Sequence, residues 1–301
     1  VRMDKNSPLH MTVGNFDGLH LGHHKLLDQV VLNQKNQGGK TCVYTFAPHP
    51  RQYFNPQFEH IYLQDRKSWR IELKEKWKID LILEEKFTKE FAETSADEFL
   101  NKYWRALNLK TLVVGQDFRF GKKRAGDVGK LKIWAADRGV ELYLIPPVEI
   151  DGVRVSTSVI RDCLFHGDVL SAEKYLGRAF SIQSEVQKGE QKGRLLGFPT
   201  LNLMDERGTL LRRGVYLTWV KYQNQKWPAV TNVGIRPTIH AESSVVIESY
   251  VLKGLEKSLY GEKIEVEFTK FLREEKKFSS FEELKSHIAN DVKTALDFFK
   301  L

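Results

Sequence analysis

Residues 11–31, MTVGNFDGLHLGHHKLLDQVV, run from an apolar strand through a glycine-bearing turn into a helix. MTVGNF reads as a buried strand, and Leu26, Leu27, Val30 and Val31 then share one face at helical spacing. A strand, a glycine turn and a helix in this order form a cradle for an anion. The N–H groups of the first helical turn point outward, and the helix dipole favours negative charge there. Gly14, Gly18 and Gly22 let the backbone approach a ligand closely. His20 and His23, three apart, share a face if the helix begins near His20, and both can donate to phosphate oxygens. Taken singly, each histidine reads more readily as a cap or a surface residue. A metal site from His20, His23 and His24 is a rival reading, but it lacks an obvious fourth ligand and is not the HExxH pattern.

The rest of the first half keeps alternating. TCVYTF is a β-rich run ended by APHP, and ETSADEFLNKYWRAL is helical in pattern, with Ser95 and Glu98 spaced as a capping box. KTLVVGQDF is a strand closing on glycine, and VELYLIPPV a strand stopped by two prolines. Such alternation argues for a parallel sheet covered by helices. After SAEKYLGR the character changes. FSIQSEVQKG, GVYLTWVKY, WPAVTNVGI, VVIESYVL and KIEVEFTKFL are strands at regular spacing, divided by Gly, Pro and charged turns. That is the pattern of a small barrel or sandwich. One helix follows. Phe281, Leu284, Ile288, Val292, Leu296 and Phe299 form an apolar stripe expected to pack on the core, and Ser280 with Glu283 is spaced as a capping box. The two patterns meet near residues 177–182, so two domains are expected, 1–178 and 179–301.

The 301 residues suffice for both, and 41% hydrophobic with 29% charged residues is an ordinary globular composition. No run approaches the roughly 18 apolar residues of a membrane helix, and the first ten residues are polar and basic rather than a secretory leader. Cys42 and Cys163 are the only cysteines and neither lies in a CxxC. This argues against a disulfide scaffold or a thiolate zinc site, and for a reducing cytoplasm. The net charge of +8 reads as solubility or as attraction to an anionic partner such as a nucleotide. No RNP-type, zinc-finger or basic-helix pattern points to nucleic acid, and basic residues are spread apart from Lys122, Lys123 and Arg124. Small molecules are the expected partners, with no nucleic acid and no membrane; oligomeric state is not legible.

GNFDGLHLGH contains an HxGH, His20-Leu21-Gly22-His23, and resembles the signature of the nucleotidylyltransferase superfamily. Its FDGxHxGH form is similar to the bacterial bifunctional riboflavin kinase/FAD synthetase family. Further segments resemble that family in order. TFAPHP (45–50) is similar to its PHP turn, VGQDFRFGKKRAGD (114–127) to its flavin- and nucleotide-facing loop, and VSTSVIR (155–161) to its Ile-Ser-Ser-Thr-x-Ile-Arg segment. GDVLSAEKYLGRAF resembles the join between domains, and GRLLGFPTLNL the kinase hallmark Pro-Thr-x-Asn. TNVGIRPT, ESYVL, LYGEKIEVEF and FLREEKKFSSFEEL complete the set.

The resemblance implies a Rossmann-like nucleotidylyltransferase domain followed by a small antiparallel β-barrel kinase domain with a C-terminal helix. It implies two reactions. Riboflavin takes the γ-phosphoryl of ATP to give FMN, and FMN takes AMP from a second ATP to give FAD and pyrophosphate. For adenylyl transfer it implies ATP contacts from Gly14, Asn15, Phe16, Gly18, His20, His23, Ser156, Thr157, Ser158 and Arg161, with His20, His23 and Arg161 catalytic. His49, Asp117, Phe118 and Arg119 fall on the flavin side. For the kinase it implies Glu248 as proton acceptor, and Thr200 and Asn202 as ligands of Mg²⁺ and ATP phosphates. Gly189, Gly193 and Arg194 form a loop over the nucleotide; Arg273 either faces the flavin or caps the following helix. Without the resemblance, Glu248 reads as a solvated strand residue, Arg161 as a helix-surface charge and His49 as part of a rigid turn. Thr157 and Ser158 exchange the family's order, Ser184 stands for a usual Gly, Leu211 for a usual Pro, and Lys253 and Ser258 for usual Asp residues. Two other readings are a nucleotidylyltransferase for a different phosphorylated substrate, which leaves the C-terminal half unexplained, and a non-catalytic flavin or RNA binder, which has no need of a proton acceptor at Glu248.

Overall fold

In a computed structural model that describes residues 7–55, 62–104, 107–189, 193, 197–205, 210–236, 244–255 and 257–301, the chain divides into two units, 1–156 and 157–301. Five parallel strands carry the first: β1 (Leu9–Val13), β2 (Lys40–Ala47), β3 (Leu81–Lys86), β4 (Leu109–Gly115) and β5 (Glu141–Ile145), in the order β3-β2-β1-β4-β5. Every residue of β1 is buried, as a central strand covered on both faces requires. The winding reverses between β1 and β4, and in such sheets the crevice for a ligand opens at the carboxyl ends of those strands.

The helices are α1 (Leu21–Gln37), α2 (Pro50–Phe54), α3 (Arg66–Lys76), α4 (Lys89–Glu93), α5 (Ala96–Glu98) and α6 (Val128–Ala136), and β6 (Glu149–Ile150) pairs with β7 (Val153–Arg154). One sheet face buries Met11, Tyr44 and Leu112 against Phe99, Trp104 and Leu131. The other buries Val43 against Leu27, Trp69 and Leu73. The capping box of Ser95 and Glu98 is present in both directions. The helix it starts is not regular, however: Phe99–Trp104 is a π-helix whose wider turn buries Phe99, Leu100 and Trp104 together. Neither α3 nor β3 was anticipated from the sequence.

In the second unit, α7 (Thr157–Phe165) and α8 (Val169–Leu176) precede a closed barrel. Its strands are β8 (Phe180–Gln187), β9 (Thr200–Asp205), β10 (Gly214–Tyr222), β11 (Gln225–Arg236), β12 (Ser244–Val251) and β13 (Lys263–Glu274), ordered β10-β11-β12-β9-β8-β13. Full closure leaves no exposed sheet edge. Inside, the hydroxyls of Thr218, Thr231 and Ser249 join in a ladder, 2.7 and 2.8 Å apart. α9 (Phe281–Phe299) covers Val215, Leu217 and Val230 with Val292, Ala295 and Phe299. The expected stripe is corrected at its start: Phe281 is 61% exposed, because docking runs through the second half of the helix. The expected capping box is half formed. Ser280 Oγ accepts from Glu283 N–H at 3.1 Å, but the Glu283 carboxylate takes the N–H and hydroxyl of Ser279 instead. Among the described residues no helix is long and apolar enough to cross a membrane.

Candidate active sites

The turn between β1 and α1 folds the two histidines onto each other. His20 is the N-cap of α1, and its Nδ1 accepts the backbone N–H of His23 at 3.3 Å. That bond places the His20 proton on Nε2, which leaves Nε2–H as its donor. The two rings stack with centroids 3.6 Å apart and planes 17° off parallel. Gly22 makes room for this, since a Cβ there would stand 3.1 Å from the His20 ring. The ring of Phe16 lies 5.1 Å from His23. His23 is held well below its ordinary pKa, chiefly by burial and then by His20 and His24. His23 Nδ1 and Asn15 Oδ1 are buried without a hydrogen-bond partner. Gly18 takes a φ of +79°, open to glycine at little steric cost. Among the described residues no group of His, Cys, Asp or Glu is placed to hold a metal.

A cavity of about 820 Å³ opens at the carboxyl ends of β1 to β4. Gly14 and Asn15 line it after β1, Phe46, Arg51 and Phe54 after β2, Phe87 and Phe91 after β3, and Asp117, Phe118 and Arg119 after β4. Phe99 reaches it from the π-helix. Lys123 and Arg124 add further positive charge. Aromatic walls with cationic side chains suit a flat ring that carries an anionic group. Asp117 pairs with Arg154, Arg119 with Asp127 at 3.4 Å, and Phe118 stacks on Phe120. Of the four residues expected on the flavin side, His49 alone is absent from this lining. Its Nδ1 caps α2 by accepting Arg51 N–H at 3.1 Å. The aromatic walls were missed in the sequence, although the phenylalanines between residues 46 and 99 were the available signal.

Ser156 stands at the entry to α7, and Thr157, Ser158 and Arg161 lie on its first turns, with Arg161 one turn on from Thr157. These three helical residues belong to the second unit.

The barrel's polar site is built by register. Glu248 of β12 pairs directly with Asn202 of β9, and Asn202 with Gln187 of β8. Ile247 and Ser249 are fully buried, and Ser249 bonds inside the barrel, so strand alternation turns Glu248 outward onto the face that carries Asn202. Asn202 Nδ2 donates to the Thr200 carbonyl at 3.2 Å and to Thr200 Oγ1 at 3.3 Å. Its Oδ1 is buried with no partner. Gly189 lies against this amide: a Cβ there would come within 2.4 Å of it. Gly193 accepts Phe198 N–H at 2.8 Å; Arg194 falls outside the described residues. Asn232 of β11, missed in the sequence, pairs with Glu248 on its other side. Arg273 does not cap α9. It grips the buried Asp291 in the middle of that helix, Nε to Oδ1 at 3.0 Å and Nη2 to Oδ2 at 2.7 Å. The departures at Ser184, Leu211, Lys253 and Ser258 are absorbed. Ser184 has no positive φ and donates to the Met204 carbonyl at 2.8 Å, Leu211 is buried, and Lys253 and Ser258 are exposed.

Each unit thus sets polar side chains beside glycine-kept space, an arrangement suited to a nucleotide-binding enzyme with two centres. Comparison with known proteins narrows it. Residues 2–159 match the FAD synthetase family and residues 176–299 the riboflavin kinase family. The bifunctional riboflavin kinase/FMN adenylyltransferase of Buchnera aphidicola subsp. Schizaphis graminum is 34% identical over 98% of this chain and 96% of its own. That of Pseudomonas fluorescens is 35% identical over 94% and 91%. The crystal structure of a macrolide-efflux protein from Streptococcus pneumoniae superposes with a TM-score of 0.86 at 27% identity, covering 98% of this chain and 95% of that one. The chain belongs to the bifunctional riboflavin kinase/FMN adenylyltransferase family, with FAD synthetase in its first half and riboflavin kinase in its second.

Proposed function

We propose that riboflavin becomes FMN on the outer face of the barrel, in functional domain 179–301, and that FMN becomes FAD at the carboxyl ends of the parallel strands, in functional domain 1–178. The observation that carries this assignment is the direct pairing of Glu248 with Asn202, beside Thr200. Glu248 takes the proton of the riboflavin 5′-hydroxyl as its oxygen bonds to the γ-phosphorus and the bond to ADP breaks. The buried, unpartnered Asn202 Oδ1 and the gap kept by Gly189 fit a hard cation. Thr200 and Asn202 would hold Mg²⁺ there, which supplies neutralisation of phosphoryl charge. Gly193 borders the nucleotide, and Arg273, fixed by Asp291, faces the flavin.

Adenylyl transfer needs no protein nucleophile: an FMN phosphate oxygen attacks the α-phosphorus of ATP and pyrophosphate leaves. His20, with its proton on Nε2, and His23 donate to the phosphate oxygens, and Asn15 donates through its amide. Gly14, Phe16 and Gly18 shape the cradle. Arg161, with its planar fork, and the hydroxyls of Ser156, Thr157 and Ser158 are assigned to ATP on the family resemblance alone. The aromatic cavity seats the flavin ring with Asp117, Phe118 and Arg119, and His49 sets the turn at its edge. We place the chain in the reducing cytoplasm; burial pushes the Cys42 thiol up to about 12, which keeps it out of the chemistry.

The test is chromatography of the purified protein after incubation with Mg²⁺-ATP and either flavin. FMN is expected from riboflavin and FAD from FMN, both stopped by excess EDTA. No turnover of either flavin by folded protein overturns the assignment. Gly189→Ala places a methyl against the Asn202 amide. We expect the KM for ATP in FMN formation to rise about tenfold or more, with FAD formation from FMN unchanged in steady-state assays.

A further inference from the structure

Phe16 sits in the middle of the β1–α1 turn with φ +51°. A bulky residue keeps this left-handed conformation only where its surroundings hold it there. The strongest hold comes from a distant element. The indole N–H of Trp69, on α3, donates to the Phe16 carbonyl at 3.0 Å. The Leu19 N–H reaches the same oxygen less closely, at 3.3 Å. Trp69 is fixed in turn: it is 1% exposed, and the Arg66 guanidinium lies 4.2 Å over its ring while pairing with Glu84 of β3. On the other side of the same peptide, the Phe16 ring meets His23, which stacks on His20. The Trp69 bond ties α3 to the backbone of the turn itself, whereas Trp77 at the end of α3 reaches α1 further along, through Asp28 at 2.9 Å and the His24 ring.

We propose that Trp69 is a positioning residue for adenylyl transfer, acting through the Phe16 carbonyl to set where His23 and His20 meet the nucleotide phosphates. This rests on the reading that those histidines hold the phosphates. Packing alone asks only for a large flat ring. The directional bond to a carbonyl in a left-handed turn asks for the N–H, and that difference is measurable.

The test replaces Trp69 by β-(3-benzothienyl)alanine, a bicyclic isostere with sulfur in place of the N–H. The kcat for FAD formation from FMN is expected to fall about tenfold or more. The KM for FMN is expected to stay within about twofold, since the hydrogen bond lies away from the flavin cavity. Riboflavin phosphorylation by the same molecules is expected to stay unchanged. Trp69→Phe is expected to show the same fall in kcat and, in addition, a lower Tm. An unchanged kcat in the isostere, whatever its Tm, overturns the proposal, as does loss of both activities together, which would mean that Trp69 only holds the fold. His23→Ala run alongside separates the two levels. If His23→Ala keeps FAD formation, the reading of the histidines fails; if it loses FAD formation while the isostere keeps it, only the role of Trp69 fails.

Discussion

Glu248→Gln is expected to abolish FMN formation from riboflavin, with a loss of about 10³-fold, and to leave FMN-to-FAD conversion at its original rate. Glutamine matches glutamate in size and keeps a hydrogen-bonding head, but it cannot take a proton from the attacking hydroxyl. The barrel core is not touched by the change. Glu248 lies on the outer face of β12, while its neighbours Ile247 and Ser249 fill the barrel. Its neighbours across the sheet, Asn202 and Asn232, are neutral amides. Initial rates with each flavin, at saturating ATP, decide the matter. Persistence of both activities removes Glu248 from the chemistry. Loss of both points to a folding defect.

Five of the barrel strands, the strands β1, β2, β4 and β5, and the first and last helices were legible because each announces itself locally. The β1–α1 stretch carries helical periodicity beside its glycines, and the barrel strands are β-rich runs cut by turn residues. Long-range partnership was not legible. Phe46, Phe87 and Phe118 line one cavity because parallel strands bring their carboxyl ends together, and no local spacing records that. Arg273 read as a flavin contact or a helix cap; its partner Asp291 lies 18 residues on, across the packed face of α9. The stripe on α9 was visible, but not that its first member, Phe281, stays exposed while Val292, Ala295 and Phe299 pack on the barrel. α3 escaped notice because its sequence, RKSWRIELKEK, is mostly charged and buries only Trp69 and Leu73. In the candidate sites, residue types were readable wherever a motif held them in one segment, as for His20, His23, Thr200 and Asn202. The pairing of Glu248 with Asn202 required the barrel's register.

His23→Ala is expected to give the opposite pattern to Glu248→Gln: FAD formation from FMN falls by about 10²–10³-fold, and riboflavin phosphorylation continues. The magnitude follows from removing one preorganised donor while the rest of the cradle stays. Chromatographic rates with each flavin check it, and equal loss of both activities would indicate misfolding instead. The same variant carries a pH signature. His23 is buried, and burial first, then the neighbouring His20 and His24, lowers its pKa well below the usual 6.5. A histidine kept neutral in the folded state becomes free to bind a proton on unfolding, at about pH 6.5 and below. The unfolded state therefore binds more protons than the folded one in that range. Stability from this group is complete above the unfolded pKa and is lost as the pH falls towards the folded one. Wild-type protein is expected to lose Tm between about pH 7 and pH 5, and His23→Ala to lose less, as thermal denaturation at several pH values would read. An equal loss in both proteins would place the acid sensitivity elsewhere. The stack explains why the two effects belong together. Rings 3.6 Å apart cannot both carry a proton cheaply, so the stack through which we propose two donors meet the phosphates also disfavours a proton on the buried His23.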